Sequence, residues 1–287
     1  MTIRLIKNLS GHSGCKIDLM HDGNMFFVRK ASGECSYNQR LRTQIAKQIG
    51  YRSSENAPIV APKVYRTGII DGLFYCDMEY VESLTMASHI ESITTKGIGA
   101  FIELVIKELH ISDGLVLPGA NDIFQQKIDS LSKNIPQREI YINAMKRLEH
   151  FDFSEVPYSK CHGDLTLENI LLDVKGKVYL IDFLDSFFDS WMVDVAKLLQ
   201  DLELQWSYRH CDISANVGLR LSVAKEKLID CISRLPNGHE KVIQIYYILL
   251  LNIMRIVPYI KDDITERFID NAILKLNNIL DNKEQSL

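Results

Sequence analysis

Three oxygen-bearing side chains carry the first chemical signal in this chain. Asp164 and Asn169 lie five positions apart in Cys161-His162-Gly163-Asp164-Leu165-Thr166-Leu167-Glu168-Asn169, and Asp182 follows in Tyr179-Leu180-Ile181-Asp182-Phe183. A loop carboxylate can accept the proton of an attacking hydroxyl. Mg²⁺ takes hard oxygen ligands, few from protein and several from phosphate and water. An amide oxygen and a second carboxylate suit it. Phosphoryl transfer asks for this combination, because it rests on positioning and charge neutralisation. Asp164 is therefore the candidate base, with Asn169 and Asp182 as candidate metal ligands. Each alone would read as a loop residue or a strand end. The signal is the ordered set, spread across a strand–turn–strand.

The same set resembles the aminoglycoside phosphotransferase and choline kinase superfamily, whose catalytic loop and metal aspartate follow this spacing. His-Gly-Asp in place of His-Arg-Asp points to the small-molecule branch rather than to protein kinases. No Ala-Pro-Glu follows Asp182, and Asp182-Phe183-Leu184 lacks the glycine of Asp-Phe-Gly. The resemblance implies an α+β, bilobal, protein-kinase-like fold with ATP (or GTP) and Mg²⁺ as cofactors. It implies that His162 holds the catalytic loop without acid–base work. It also implies that Asp194, in Val193-Asp194-Val195-Ala196, fastens a helix start near that loop.

On the nucleotide side, Gly11, Ser13 and Gly14 lie in Ser10-Gly11-His12-Ser13-Gly14-Cys15-Lys16. This is not a Walker A loop, since the spacing G-x-x-x-x-G-K is missing. It suits a hairpin flap whose backbone N–H groups cover phosphates. Phe26-Phe27-Val28-Arg29-Lys30 resembles the strand that carries a phosphate-binding lysine. Lys30 is the candidate and Arg29, on the opposite strand face, the alternative. The family pairs this lysine with a helix glutamate. Here no acidic residue stands between Cys35 and Ser54, so Gln44, Gln48 or Glu34 would have to serve. Cys76-Asp77-Met78-Glu79-Tyr80-Val81 resembles the hinge, with Glu79 and Val81 toward the adenine edge and Met78 as an apolar wall.

These residues need elements to hold them. Cys15–Met20 and Met25–Lys30 read as a hairpin, Tyr37–Ile49 as a helix, and Lys63–Ile70 and Leu73–Val81 as a second hairpin about Asp71-Gly72. Helical patterns follow near 96–111, 120–133 and 136–150. A short hairpin, Ile170–Asp173 with Lys177–Phe183, interrupts them before helices near 191–206, 218–234, 239–257 and 263–281. The expected division is a nucleotide-binding lobe over 1–80 and a catalytic and acceptor-binding lobe over 81–287.

The bulk composition narrows the classes. With 33 Lys+Arg against 37 Asp+Glu and a net charge of −4, the chain lacks the basic surface that nucleic-acid binding requires. The six cysteines form no C-x-x-C or zinc spacing and fit reduced thiols in the cytoplasm. The apolar run around Ile245–Ile253 is shorter than a membrane span and reads as a buried helix, so no membrane partner is expected.

The partner expected instead is a small molecule with an acceptor hydroxyl. Asp185, Asp201, Trp206 and Arg209 are the candidates to line its site, alongside Asp189 and Glu203. An acidic pocket would suit an aminoglycoside or choline. The interleaved Lys197, Trp206 and Arg209 favour a sugar or another neutral or anionic alcohol. The alternative to an enzyme is a nucleotide-binding module without turnover, motivated by the missing helix glutamate and by Leu184.

Overall fold

The computed structural model describes residues 3–9, 14–51, 57–109 and 114–285; Gly11 and Ser13 lie outside them. The chain forms two compact units. One joins Met1–Met86 with Asn169–Asp185, the other Ala87–Glu168 with Ser186–Leu287.

The first unit is β-rich. Strands β1 (Arg4–Leu9), β2 (Cys15–His21) and β3 (Phe26–Ser32) precede helix α1 (Asn38–Gly50). After it come β4 (Ile59–Val60), β5 (Val64–Ile70), β6 (Leu73–Glu79) and β7 (Ser83–Thr85). One sheet has the order β1-β2-β3-β6-β5, antiparallel throughout. Asp71 and Gly72 both adopt positive φ (51° and 79°), which suits the two-residue β5–β6 turn to the right-handed twist of its strands. Strand β1 is an addition to the expected elements. It is an edge strand exposed along nearly its whole length, so it carries no period-2 burial signal.

Helix α1 lays Leu41 and Ile45 on Phe74, Cys76 and Met78. That packing fixes the helix against the sheet strand that carries Asp77.

The first unit also contains the hairpin of β10 (Ile170–Asp173) and β11 (Val178–Leu180). Sequence order places this hairpin among helices, yet it pairs with short strands of the N-terminal part. The sheet order is β4-β11-β10-β7, with β4 parallel to β11. Strands of two and three residues give no pattern to read beforehand.

The second unit is helical. Its elements after the single turn α2 (Met86–His89) are α3 (Thr95–Glu108), α4 (Ala120–Ser132), α5 (Glu139–Glu149), α6 (Trp191–Leu202), α7 (Ala215–Ser233), α8 (Gly238–Met254) and α9 (Asp263–Glu284), with a small ribbon of β8 (Leu115–Val116) and β9 (Pro157–Tyr158). Side-chain caps mark the starts. Thr94, Ser190, Ser214 and Asp262 each accept from a first-turn N–H, satisfying groups the helix leaves open.

Helix α8 is the core element, buried at every residue from Val242 to Met254. The sequence reading of this run as too short for a membrane needs correction. Gly238–Tyr259 has the length and hydropathy of a span, but 72% of its most apolar stretch is buried inside the protein. The buried-helix reading holds because α6, α7 and α9 surround it.

Candidate active site

The loop before β10 is held by helix α6. Asp194 is fully buried, and its two carboxylate oxygens accept the backbone N–H groups of His162 (2.6 Å) and Gly163 (2.7 Å). The His162 ring is buried too, and its Nδ1 accepts the Asp164 N–H at 3.2 Å. Gly163 adopts φ +92°, a region that glycine enters without steric cost. Asp201 is also fully buried. It accepts from Leu167 N–H at 2.6 Å and from Ser207 N–H and hydroxyl at 2.8 and 2.7 Å. Burial pushes its pKa up to about 6, against the opposing pull of those donors.

Asp194, Lys197 and Asp201 stand at i, i+3 and i+7, one stripe of a helix. The loop runs along that stripe. Among residues 161–167, Asp164 alone is not buried. The loop's neighbouring backbone groups are bound, and the one side chain presented is a carboxylate.

In the first unit, the β10–β11 hairpin brings Asn169 and Asp182 to one end. Ile181 N–H donates to the Asn169 carbonyl at 3.0 Å, extending the ladder past Ile170↔Leu180. Asp173 closes the other end by accepting from Lys175 and Lys177 N–H, with Gly176 at φ +80°. Asp182 itself has φ +64°, a left-handed conformation that costs a non-glycine residue on the order of 1 kcal/mol. Its carboxylate, on a side chain 36% exposed, is a hard-oxygen donor of the kind that Mg²⁺ takes. Among the described residues no three His, Cys, Asp or Glu side chains cluster, so a metal here would draw its remaining ligands from phosphate and water.

Strand β3 sends Lys30 and Arg29 to opposite faces. Lys30 is buried and its ammonium is ion-paired with Asp182. Burial alone would lower the Lys30 pKa, but the Asp182 carboxylate more than offsets it and the net shift is upward. Arg29 is tied up elsewhere. It grips the buried Asp77 with two hydrogen bonds of 2.7 and 2.8 Å, opposite it in the ladder, and Arg66 joins at 2.5 Å.

The three residues considered as stand-ins for the helix glutamate have other partners. Gln48 donates to Pro62 C=O at 2.8 Å, Glu34 accepts from Ser36 at 2.5 Å, and Gln44 donates to Asp185 at 3.1 Å. Met78 is buried against α1. Glu79 N–H donates to Lys63 C=O at 2.8 Å, and Val81 follows just past the strand end. Gly14 accepts from Gly33 N–H at 2.8 Å, and a Cβ on Gly33 would stand 2.7 Å from that Gly14 oxygen.

Known proteins place this architecture. Residues 112–212 match the family model described as phosphotransferase enzyme family. That segment of the chain is similar to the phosphotransferase enzyme family. Solved structures share the fold across nearly the whole length of the chain. The choline kinase LicA from Streptococcus pneumoniae has TM-score 0.56 at 17% identity, covering 97% of this chain and 94% of that one. The aminoglycoside phosphotransferase APH(4)-Ia has 0.63 at 14%, covering 97% and 94%. The ethanolamine kinase of Plasmodium vivax has 0.57 at 15%, covering 98% and 83%. LicA is also known in complex with AMP. No curated protein matches the sequence. These likenesses show the α+β, protein-kinase-like fold expected from the motifs.

The residues nominated from sequence for the acceptor are placed unevenly. Asp201 is buried and bound to backbone, so it positions the loop rather than touching an acceptor. Asp185 belongs to the first unit, where Arg40 (3.0 Å) and Gln44 hold it. Trp206 lies under the Arg209 guanidinium at 4.0 Å and edge-on to Phe268. Arg209 also donates to Trp206 C=O at 3.0 Å. Glu203 is buried between Lys275 (2.7 Å) and Lys225 (3.4 Å). Lys197 Nζ stands 3.1 Å from Asp164 Oδ1. Sequence reading treated Lys197 only as an interruption among acidic residues. Its position three after Asp194 on a helix was the signal that could have found it.

Proposed function

We propose that this protein is an ATP- and Mg²⁺-dependent phosphotransferase that phosphorylates a hydroxyl of a small molecule, with Asp164 as base. The acceptor class is a sugar or a surface-glycan precursor. The observation that carries the reading is the catalytic loop itself. Asp164 alone is presented from a buried, doubly fastened loop within the segment similar to the phosphotransferase enzyme family.

In the proposed step the acceptor O–H gives its proton to the Asp164 carboxylate. Its oxygen forms a bond to the γ-phosphorus, and the bond from that phosphorus to the β–γ bridging oxygen breaks, so that ADP leaves. The transfer is direct and in line. Lys30 serves the α- and β-phosphates as a compact positive charge, exchanging its Asp182 partner for phosphate oxygens. Asn169 and Asp182 would hold Mg²⁺, which supplies charge neutralisation on the phosphates when bound. The Glu79 and Val81 backbone would meet the adenine edge, and Gly11, Ser13 and Gly14 the phosphates. Reduced cysteines and an acceptor of this class fit the cytoplasm.

The test is ADP release from Mg·ATP across sugars, amino alcohols and aminoglycosides, with and without Asp164→Asn. The variant should lose roughly 10²–10⁴-fold on the true acceptor, the range of a general-base contribution. An undiminished Asp164→Asn would remove Asp164 from the mechanism. Mg²⁺-dependent ATP binding with no turnover of any acceptor would favour a nucleotide-holding module instead.

A further inference from the structure

Of the twelve residues of α6, Lys197 alone is not buried. Asp164 is the one residue not buried in loop 161–167. The two meet, Nζ to Oδ1, at 3.1 Å, with side chains 12% and 30% exposed. Helix α6 thus buries every other residue and brings a single cation to the carboxylate read above as the base. We propose that Lys197 is a specificity-determining and positioning residue, which orients Asp164 and denies the acceptor site to cationic alcohols.

The inference rests on the kinase reading and deepens it. A hydroxyl that gives its proton to Asp164 must come within about 3 Å of that carboxylate. A positive group a few bonds from the hydroxyl then stands roughly 5–8 Å from Lys197, where unit charges in a partly screened site change binding by ~10–100-fold. The ion pair cancels the attraction that Asp164 alone would offer to a cation.

The carboxylates nominated from sequence for an acidic pocket are occupied, and so is Asp194. Asp194 and Asp201 are fully buried and accept backbone N–H groups. Glu203 is buried between Lys225 and Lys275. Asp185 is held within the first unit by Arg40 and Gln44. Asp189 accepts from the Cys161 thiol at 3.2 Å. An acceptor of this chain is an alcohol without a positive charge near its reacting hydroxyl.

The experiment measures kcat/KM of the full chain with Mg·ATP. It uses two acceptor sets: hexoses and sugar acids, against choline, ethanolamine and kanamycin. Wild type should use the first set. Lys197→Met should lose activity there and raise the cation-to-neutral ratio by at least tenfold, and Lys197→Arg should restore the wild-type ratio. A merely structural lysine would lower both sets alike. Lys197→Gln repeats the test if the methionine variant melts early. A wild type that prefers cations, or a ratio that neither neutral variant moves, overturns the inference while leaving the kinase reading in place. No ADP release with any acceptor, from folded protein that binds Mg·ATP, overturns both.

Discussion

Gln44 on α1 donates its side-chain amide to the Asp185 carboxylate at 3.1 Å, three residues past Asp182. Arg40, one turn earlier on the same helix, reaches the same carboxylate at 3.0 Å, and Lys47 donates to Leu184 C=O at 3.0 Å. In the superfamily pattern read from sequence, a helix glutamate braces the phosphate lysine. Here the helix without acidic residues braces the segment just after Asp182. Gln44→Glu should therefore impair the enzyme, since it sets a second carboxylate against Asp185. Gln44→Ala should raise KM for Mg·ATP severalfold, because a hydrogen bond to a charged group contributes about 1.5–3 kcal/mol. Arg40→Ala should do less, since exposed ion pairs are worth about 0–1 kcal/mol. Steady-state kinetics in Mg·ATP checks all three, and a Gln44→Glu enzyme as good as wild type would show that Gln44 had replaced the lysine's glutamate after all.

Lys30 and Arg29 are adjacent, yet their loss should be felt in different measurements. Lys30 faces Asp182, which is half-exposed, so Lys30→Met should fold nearly normally and lose ATP affinity and turnover. Arg29 is one of two arginines on the fully buried Asp77. Arg29→Met removes half of that pairing and should cost about 1–3 kcal/mol, part of the penalty for uncovering a buried charge. Paired thermal melts and ATP kinetics separate the two. A Lys30→Met protein that melts as early as Arg29→Met, with its ATP parameters intact, would exchange their roles.

Much of this was readable in the sequence, for a physical reason. The candidate catalytic and metal residues sit in one short segment, so their spacing survives without three-dimensional information. Helices α4 to α9 carry period-3.6 patterns long enough to see. The Asp71-Gly72 turn follows from residues that tolerate positive φ. What escaped depended on distant partners. The strands β4 and β7 have meaning only as neighbours of the β10–β11 hairpin. Asp201 reads as a polar acceptor contact until Leu167 and Ser207 are seen to need it. Lys197 reads as surface charge until Asp164 is found beside it. In each case at least one deciding partner lies more than thirty positions away.

Asp194 gives a stability prediction with a kinetic signature. Both of its oxygens accept N–H groups, from His162 and Gly163. In Asp194→Asn one oxygen becomes an NH₂ facing a backbone donor, in a fully buried site. The loss should be about 2–4 kcal/mol, a buried unsatisfied donor plus a lost charge-assisted bond. The loop carrying Asp164 should loosen with it, so kcat should fall more than KM for Mg·ATP changes. Denaturant melts and steady-state kinetics read the two effects, and a variant of wild-type stability would mean that the carboxylate is not what fastens the loop.

Asp201 makes stability depend on pH in an uncommon direction for an aspartate. Its folded pKa lies at about 6, raised from 3.8 by burial. A raised pKa means that the folded state binds the proton more tightly than the unfolded chain. Its contribution is therefore fully present below pH 3.8 and is lost as pH rises through about 6. The shift corresponds to up to about 3 kcal/mol, at 1.36 kcal/mol per unit. Asp22, Glu203 and Asp262, whose pKa values are lowered by hydrogen bonds or by lysine neighbours, push the opposite way, so the effect is read as a difference. The unfolding free energy of wild type minus that of Asp201→Asn should decline between pH 4 and pH 7, because the amide does not titrate. Asn keeps one oxygen for Leu167 or Ser207, so the variant should still fold, from a lower starting stability. A difference that stays flat over that range would show that the three donors, and not burial, set the ionisation of Asp201.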